Sequence, residues 1–299
     1  MNPLRLSHNV FQRRLISSTL RSALNSVTSE QGLHRFHERV REDNEKKDFK
    51  KDYEERRGDP NPIANTHLKE NEPRHKGTFG DGEGSKPPYF RKSSKGDSAV
   101  LVCMVNLKKS EKPQNEAEEV DQPWFIYTHR SYHLKSHRGE MCFPGGRMEK
   151  DETTEQAALR EGLEEINISP DFVTVLSELR PSLTRNLKNS VTPVVTVCDG
   201  KALPLLKPQV EEVQSVYLIP MSDLVQSRRY TSFQLRKHKY TLPAFFSNNF
   251  KIVTASEDAY YCPDRIVRIW GISGVITDQT ISCLLPDEIF PRELHSIVH

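Results

Sequence analysis

The sequence of 299 residues is 35% hydrophobic and 28% charged, which is too polar for a chain packed throughout, so part of it is expected to be linker or tail. The 43 basic and 41 acidic residues leave a formal net charge of +2, which argues against a nucleic-acid or membrane-surface binder held by bulk charge. No apolar run approaches the roughly 18 residues that a membrane span requires.

Residues 1–29 have the composition of an organellar transit peptide. They contain no Asp or Glu but carry four arginines and several serines among scattered apolar residues. Arginines interrupt every apolar run, so a secretory signal is disfavoured. We therefore predict a mitochondrial protein of the matrix, with an ordinary basic tail as the alternative.

Residues 30–97 are interpreted as a charged segment followed by a Pro/Gly-rich linker. Acidic and basic residues alternate over 35–57, which indicates a disordered spacer or a solvated single helix with almost nothing to bury. The alternation favours a spacer over an arm that binds RNA or a partner. Residues 59–96 are dominated by Pro, Gly, Asn and Lys, a linker composition.

A single globular domain is predicted over 98–299, because short apolar, β-branched runs alternate there with helical patterns. The expected strands cover residues 99–105, 124–128, 191–197 and 213–219. The expected helices cover residues 153–166 and 273–285. Strands interleaved with single helices predict an α/β domain with a mixed sheet, preceded by a disordered or single-helix N-terminal extension.

The first helical pattern carries three carboxylates. Thr153 and a glutamine three residues later fit a capping box, so the helix should begin there. At 100° per residue, Glu161, Glu164 and Glu165 fall together on one side. The opposite, apolar side holds Ala158, Leu159, Gly162, Leu163 and Ile166. Clustered carboxylates repel one another, and a hard cation such as Mg²⁺ would offset this; a solvated acidic face balanced by Arg160 is the alternative.

The stretch from Gly146 onwards resembles the Nudix box, G-x5-E-x7-R-E-U-x-E-E-x-G-U, in which U is a bulky apolar residue. The matching charged and glycine positions are Gly146, Glu152, Arg160, Glu161, Glu164 and Glu165. Gly162 replaces a bulky apolar residue, and Asn167 replaces the closing glycine. Asparagine suits a left-handed helix C-cap, so this exchange is expected to be tolerated. The resemblance implies a Nudix-type α/β/α sandwich.

The resemblance also implies the chemistry of the site, which is metal-dependent cleavage of a diphosphate. Glu161 and Glu165 would be the main ligands of Mg²⁺, for which Mn²⁺ is a possible substitute, and Gly146 would offer its backbone carbonyl. Glu164 would assist the metal or accept the proton of the attacking water, which makes Glu161 and Glu164 the catalytic candidates. Arg160 would pair with Glu152 and hold the loop against the helix. Acidic residues outside the box are further candidates for the base, namely Glu211, Glu212 and Glu257.

Residues 126–146 resemble the extra signature of the coenzyme A pyrophosphatase branch, L-L-T-x-R-[SA]-x3-R-x3-G-x3-F-P-G-G. The matches are Thr128, Arg130, Ser131, Gly139, Phe143, Pro144, Gly145 and Gly146. Lys135 replaces the second arginine of the signature. It keeps the positive charge but lacks the planar guanidinium that can form two parallel hydrogen bonds. The branch implies that Arg130 contacts substrate, with Lys135 and His137 as further candidates. Its resemblance extends over about residues 98–285.

Together these resemblances imply a mitochondrial hydrolase that splits coenzyme A or its thioesters. The products would be adenosine 3′,5′-bisphosphate and 4′-phosphopantetheine or its acyl derivative. The first alternative is a Nudix hydrolase of another nucleoside diphosphate, such as NADH, ADP-ribose or a capped RNA end. The second is a catalytically silent binding module. The expected partner is a small-molecule substrate rather than a nucleic acid, and the sequence leaves the oligomeric state and the acyl preference open.

Overall fold

The computed structural model describes residues 30–45, 96–107, 123–184, 189–235, 238–257, 259, 266–292 and 297–298. The predicted transit peptide and most of the predicted linker lie outside these residues. Within the described part, no helix is both long and apolar enough to span a membrane.

The described part contains two β-sheets. Their strands are β1 (Ser98–Asn106), β2 (Pro123–Arg130), β3 (Met141–Cys142), β4 (Gly145–Arg147), β5 (Val173–Glu178), β6 (Ser182–Leu183), β7 (Ser190–Cys198), β8 (Val213–Pro220), β9 (Arg229–Leu235), β10 (His238–Ser247), β11 (Lys251–Ala255), β12 (Val267–Ile269) and β13 (Ile297–Val298). The larger sheet has the order β11-β8-β2-β1-β7-β5, with β3 beside β2, β4 beside β1 and β6 beside β7. It is mixed, because β1 and β7 run parallel whereas β1 and β2 run antiparallel.

Helices cover both faces of the larger sheet. The described helices are α1 (Glu30–Glu45), α2 (Thr154–Ile166), α3 (Met221–Ser227) and α4 (Gly271–Leu284). On one face α2 buries Ala158 and Ile166 against Leu101 of β1. On the other, the Tyr127 hydroxyl of β2 lies 2.7 Å from the Thr277 hydroxyl of α4. A sheet buried on both faces explains the nearly continuous apolar runs of its central strands. The predicted α/β sandwich with a mixed sheet is confirmed.

The four predicted strands and both predicted helices are present, with ends close to those expected. The smaller sheet was not predicted. In it β10 pairs with β9, β12 and β13. Its apolar run is interrupted by Pro243, a residue that usually argues against an interior strand.

Helix α1 corrects the prediction that the charged N-terminal segment has almost nothing to bury. Phe36 and Val40 lie four residues apart on one side of the helix and are both buried in the core shared with α4 and β5. Arg39 donates to the backbone carbonyl of Leu285, and a nitrogen of the His37 ring lies 2.8 Å from the Leu176 carbonyl oxygen. The helix is therefore not a solvated spacer. Two buried apolar residues suffice to dock α1 on the core, although charged residues dominate the composition of the helix.

Candidate active site

Both ends of helix α2 are fixed by local hydrogen bonds. The Thr153 hydroxyl accepts from the Gln156 backbone N–H at 3.2 Å, and the Gln156 side chain accepts from the Thr153 N–H at 2.9 Å, which completes the predicted capping box. Asn167 adopts a left-handed conformation with φ 58° and donates its N–H to Leu163. The helix that carries the carboxylates therefore has defined ends.

Glycine at position 162 has a packing reason that the sequence does not reveal. A Cβ there would lie 2.7 Å from Leu101 Cδ2 and 2.9 Å from Ile168 Cγ2, so helix and strand approach too closely for a side chain. Leu101 fills the space that a bulky residue would otherwise take. The predicted apolar stripe is wrong at Leu163, which is 44% exposed, and Ala157 is buried instead.

The Gly145-Gly146 turn brings its backbone against the carboxylates. A side chain at Gly146 would collide with the Glu161 carboxylate, and one at Gly145 would collide with the β1 backbone at Ala99. The Gly145 N–H donates to Glu165. Glycine is therefore required here because the backbone itself forms one wall of the site.

Arg160 connects the loop before α2 to the helix. Its guanidinium donates to both carboxylate oxygens of Glu152, at 2.8 and 3.1 Å, and to the Arg147 carbonyl at 3.0 Å. It also donates to Glu161 at 3.0 Å and to Glu164 at 2.9 Å. Hydrogen bonding from Arg160 lowers the pKa of Glu152. The pairing that the family resemblance implies is present, and Arg160 is in addition the local counter-ion of two further carboxylates.

Glu165 lies at the centre of the site. Its side chain is only 4% exposed, and Oε2 has no hydrogen-bond partner among the described residues. Burial raises its pKa to about 8, and repulsion from Glu161 and Glu212 adds to the rise, while Arg130 opposes it. Burial and the charges of Glu164 and Glu212 also raise the pKa of Glu161, against the influence of Arg160. The site therefore concentrates negative charge that the protein neutralises only in part.

Arg130 is the signature residue that reaches this centre. It lies at the end of β2, and its positive charge acts on both Glu165 and the Cys142 thiol. Burial raises the pKa of Cys142 to about 11, so this thiol is neutral; it lies 3.1 Å from the Thr128 hydroxyl. The Arg130 Nε is buried and lacks a hydrogen-bond partner among the described residues. A half-buried guanidinium with an unused donor suits an anionic ligand.

Lys135 and His137 lie on the exposed loop between β2 and β3 rather than among the carboxylates. The His137 ring nitrogen Nδ1 lies 3.0 Å from a carboxylate oxygen of Glu140. The three base candidates Glu211, Glu212 and Glu257 are all exposed, and of these Glu212 acts electrostatically on both Glu161 and Glu165. The structure thus brings Glu212 to the site without any motif that would have singled it out.

Gln214 is a buried polar residue beside the end of β2 that sequence reasoning missed. A register shift between His129 and Arg130 on β2 leaves Gln214 unpaired on β8, so its side chain is buried opposite the end of β2. Its Oε1 has no hydrogen-bond partner within the described residues. A bulge depends on strand pairing, and the sequence carries no signal for it.

The donor set fits a hard divalent cation. The charges of Glu161 and Glu212 raise the pKa of Glu165, and the charge of Glu212 also raises the pKa of Glu161, so the three carboxylates lie near one another; Glu165 in addition has a buried oxygen without a partner among the described residues. Carboxylate and carbonyl oxygens are the ligands that such cations select. No group of three His, Cys, Asp or Glu side chains is already arranged around a common point in the described ranges. Arg160 instead forms ion pairs with Glu161 and Glu164.

Comparison with known proteins identifies the family. The NUDIX domain family matches residues 115–238. "Nudix hydrolase 3" of Caenorhabditis elegans is 41% identical over 206 residues, which cover 68% of this chain and 80% of that protein. The chain belongs to the Nudix hydrolase family. Enzymes of this family generally require divalent metal cations and act on small nucleotide derivatives.

Relatives of this Nudix hydrolase include coenzyme A diphosphatases. A mitochondrial coenzyme A diphosphatase of Homo sapiens is 31% identical over 175 residues, which cover 57% of this chain and 66% of that protein. A peroxisomal coenzyme A diphosphatase of Mus musculus is 35% identical over 113 residues, or 38% of this chain and 47% of that protein. The chain is thus a Nudix diphosphatase, and its relatives include coenzyme A diphosphatases.

Proposed function

We propose that this Nudix hydrolase splits the diphosphate bond of coenzyme A or its thioesters with Mg²⁺. The products are adenosine 3′,5′-bisphosphate and 4′-phosphopantetheine or its acyl derivative. The observation that carries the proposal is the position of Arg130, which belongs to the coenzyme A signature and lies beside Glu165 of the Nudix box. The similarity to coenzyme A diphosphatases supports the same substrate.

Glu161, Glu165 and the Gly146 carbonyl are the groups that would hold Mg²⁺, with Mn²⁺ as a substitute. When bound, such a cation lowers the pKa of a water and neutralises charge on the phosphoryl oxygens. Arg160 keeps Glu161 in place through their 3.0 Å contact and fixes the preceding loop through Glu152. The buried surroundings of Glu165 exclude bulk water and strengthen its electrostatic interactions.

The proton of the attacking water needs an acceptor, for which Glu164 and Glu212 are the candidates. The Glu164 side chain is 59% exposed and accepts a hydrogen bond from Arg160 at 2.9 Å. Glu212 interacts electrostatically with both Glu161 and Glu165. We therefore favour Glu212 as the base. Glu212→Gln should lower kcat by about a hundredfold or more, whereas Glu164→Gln should lower it less.

Arg130 binds a substrate phosphate in this proposal. Its planar guanidinium can donate two parallel hydrogen bonds to one phosphate, which a lysine cannot reproduce. Lys135 on the exposed loop provides positive charge for the separate 3′-phosphate of coenzyme A, and His137 on the same loop is a further candidate to contact it. Arg130→Lys should therefore raise KM, while Lys135→Ala should affect only substrates that carry the 3′-phosphate.

We also propose that the protein acts in the mitochondrial matrix. The acid-free, arginine-bearing residues 1–29 support this, as does the similarity to a mitochondrial relative. Full-length protein fused to a fluorescent protein should enter mitochondria, and a fusion lacking residues 1–29 should not. Peroxisomal fluorescence would contradict the proposal.

The direct test is product identification with the full chain. Coenzyme A, acetyl-coenzyme A, NADH and ADP-ribose are incubated separately with Mg²⁺, and Glu165→Gln serves as the matched control. The proposal requires adenosine 3′,5′-bisphosphate from coenzyme A and its loss in the control. Turnover of NADH or ADP-ribose alone would retain the Nudix chemistry but reject the substrate.

A further inference from the structure

Asn167, which stands where the Nudix box has its closing glycine, makes a contact that glycine cannot make. Its side-chain amide nitrogen donates to the Leu205 carbonyl oxygen at 2.9 Å. Glycine adopts the left-handed conformation of this position as readily as asparagine does, so a glycine would also end α2, but it has no side-chain donor. The asparagine therefore adds a hydrogen bond between the end of α2 and residues 205–212, which we call the connecting segment because they lead into β8.

Two backbone hydrogen bonds join the connecting segment to the same end of the helix. Lys207 donates its N–H to the Ile166 carbonyl at 3.0 Å, and Gln209 donates its N–H to the Glu165 carbonyl at 2.8 Å. Carbonyls in the last turn of a helix have no donors within the helix, so these bonds satisfy them from outside. Of the three bonds along the helix end, the one from Asn167 depends on the identity of a side chain.

The connecting segment carries Glu212 into the candidate active site. The Glu212 N–H donates to the Gln209 carbonyl at 2.9 Å, and the Glu212 carbonyl accepts from the Ser131 N–H at 2.8 Å. The backbone of Glu212 is thus fixed between the segment on one side and the first residue after β2 on the other. Negative charge at Glu212 acts on Glu161 and Glu165, the proposed metal ligands on α2. The placement of Glu212 relative to those two carboxylates therefore depends on how the segment is held against the helix.

We propose that Asn167 is a positioning residue, which holds the connecting segment against the end of α2 and so keeps Glu212 aligned with the carboxylates of that helix. It acts through Glu212 and not on the substrate. Because Asn167 is exposed, water competes for its hydrogen bond, and the expected contribution is that of one ordinary hydrogen bond. The catalytic consequence rests on the proposed function, in which Glu212 is the base, whereas the contact with the segment does not.

Amide hydrogen exchange tests the contact without turnover. In metal-free full-length protein, Asn167→Gly keeps the left-handed helix end and removes the donor. The Lys207, Gln209 and Glu212 amides should then exchange about three- to tenfold faster, which is the equivalent of one net hydrogen bond, while the amides of β7 should exchange as in the wild type. Asn167→Asp, similar in shape and also without an N–H donor, should have the same effect. Unchanged exchange in Asn167→Asp would overturn the proposal, since faster exchange in Asn167→Gly would then reflect only the flexibility of glycine.

Kinetics test whether the contact acts through Glu212. The parameters kcat and KM are measured with whichever of coenzyme A, NADH and ADP-ribose the wild type hydrolyses fastest. Asn167→Gly should lower kcat about three- to tenfold and leave KM nearly unchanged. The same substitution in a Glu212→Gln variant should cause no further fall, because there is then no base to align. Leu205→Ala is the matched control and should retain the wild-type kcat, since its side chain is exposed and its carbonyl still accepts from Asn167. Equal falls in both backgrounds would overturn the proposal.

The outcomes distinguish this inference from the proposed function. Turnover of NADH or ADP-ribose rather than coenzyme A would reject the proposed substrate and leave both tests in force. A wild-type kcat in Glu212→Gln would reject the proposed base, and with it the effect of Asn167 on catalysis. A low kcat in Glu212→Gln combined with a wild-type kcat in Asn167→Gly would keep the base and reject Asn167 as a positioning residue.

Discussion

Replacing Gly162 by alanine sets helix propensity against packing. Alanine is favoured over glycine inside a helix by about 1 kcal/mol, so α2 alone would gain stability. In the folded protein the new Cβ would lie 2.7 Å from Leu101 and 2.9 Å from Ile168, both of them fully buried. Overpacking of this kind costs about 1–3 kcal/mol. We therefore expect a net loss of about 1 kcal/mol, which corresponds to a fall in Tm of roughly 2–4 °C.

The same substitution made in a Leu101→Ala variant tests whether packing against Leu101 is the cause. Leu101→Ala by itself should cost about 2–5 kcal/mol, but it also removes the side chain that the new Cβ meets first. Adding Gly162→Ala to Leu101→Ala should then be less destabilising than in the wild type by about 1 kcal/mol or more, since only the approach to Ile168 remains. Urea unfolding of the four proteins measures this coupling. Leu163→Ala, at the exposed neighbouring position, serves as the control and should change stability by no more than about 0.5 kcal/mol. An equal change in stability on Gly162→Ala in both backgrounds would refute the packing argument.

Three further predictions concern other parts of the fold. Phe36→Ala should lower the free energy of unfolding by up to about 3–5 kcal/mol, and the largest loss would correspond to complete detachment of α1 from the core. The exposed His34→Ala should leave the Tm unchanged. Arg160→Lys should lower the Tm at neutral pH, and should lower it less in acid. The pKa of Glu152 is lowered in the folded protein, so its ionised carboxylate stabilises the fold at pH values above its ordinary pKa. This stability is lost as the pH falls through the lowered pKa. Burial lowers the pKa of His129, so the stability that its neutral imidazole contributes is present above the ordinary histidine pKa and is lost as the pH falls. His129→Gln should therefore reduce the fall in Tm between about pH 7.5 and pH 5.5. Thermal melts check all three, and an unchanged pH dependence in the last variant would contradict the assignment of a buried neutral imidazole.

The sequence predicts the parts of the fold that have local causes. The capping box at Thr153, the left-handed Asn167 and the strands of the larger sheet follow from nearby residues, because hydrogen bonds within a few positions and burial of a short apolar run determine them. The contact between Arg160 and Glu152 follows from a motif whose spacing is also local.

Features that arise from contacts between distant segments were missed or mistaken. Docking of α1 through Phe36, the tight approach of Gly162 to β1 and the burial of Gln214 at a bulge all depend on strands or helices far away in sequence. Glu212 was one of three acidic candidates outside the box, and the pairing of β8 with β2, which brings it to the carboxylates, is what the sequence did not indicate. Neither periodicity nor composition encodes contacts between distant segments. The site residues on α2 were therefore predicted, whereas those that other elements bring to α2 were predicted only in part.

The central claim is that the site beside Arg130 selects coenzyme A among diphosphate substrates. It is tested most directly by kcat/KM for coenzyme A, NADH and ADP-ribose with Mg²⁺, measured for the wild type and for Arg130→Lys. We expect coenzyme A to have the highest kcat/KM in the wild type and Arg130→Lys to lower that value by about tenfold or more, since a bidentate phosphate contact is lost. A higher wild-type value for NADH or ADP-ribose, or an Arg130→Lys variant as active on coenzyme A as the wild type, would contradict it.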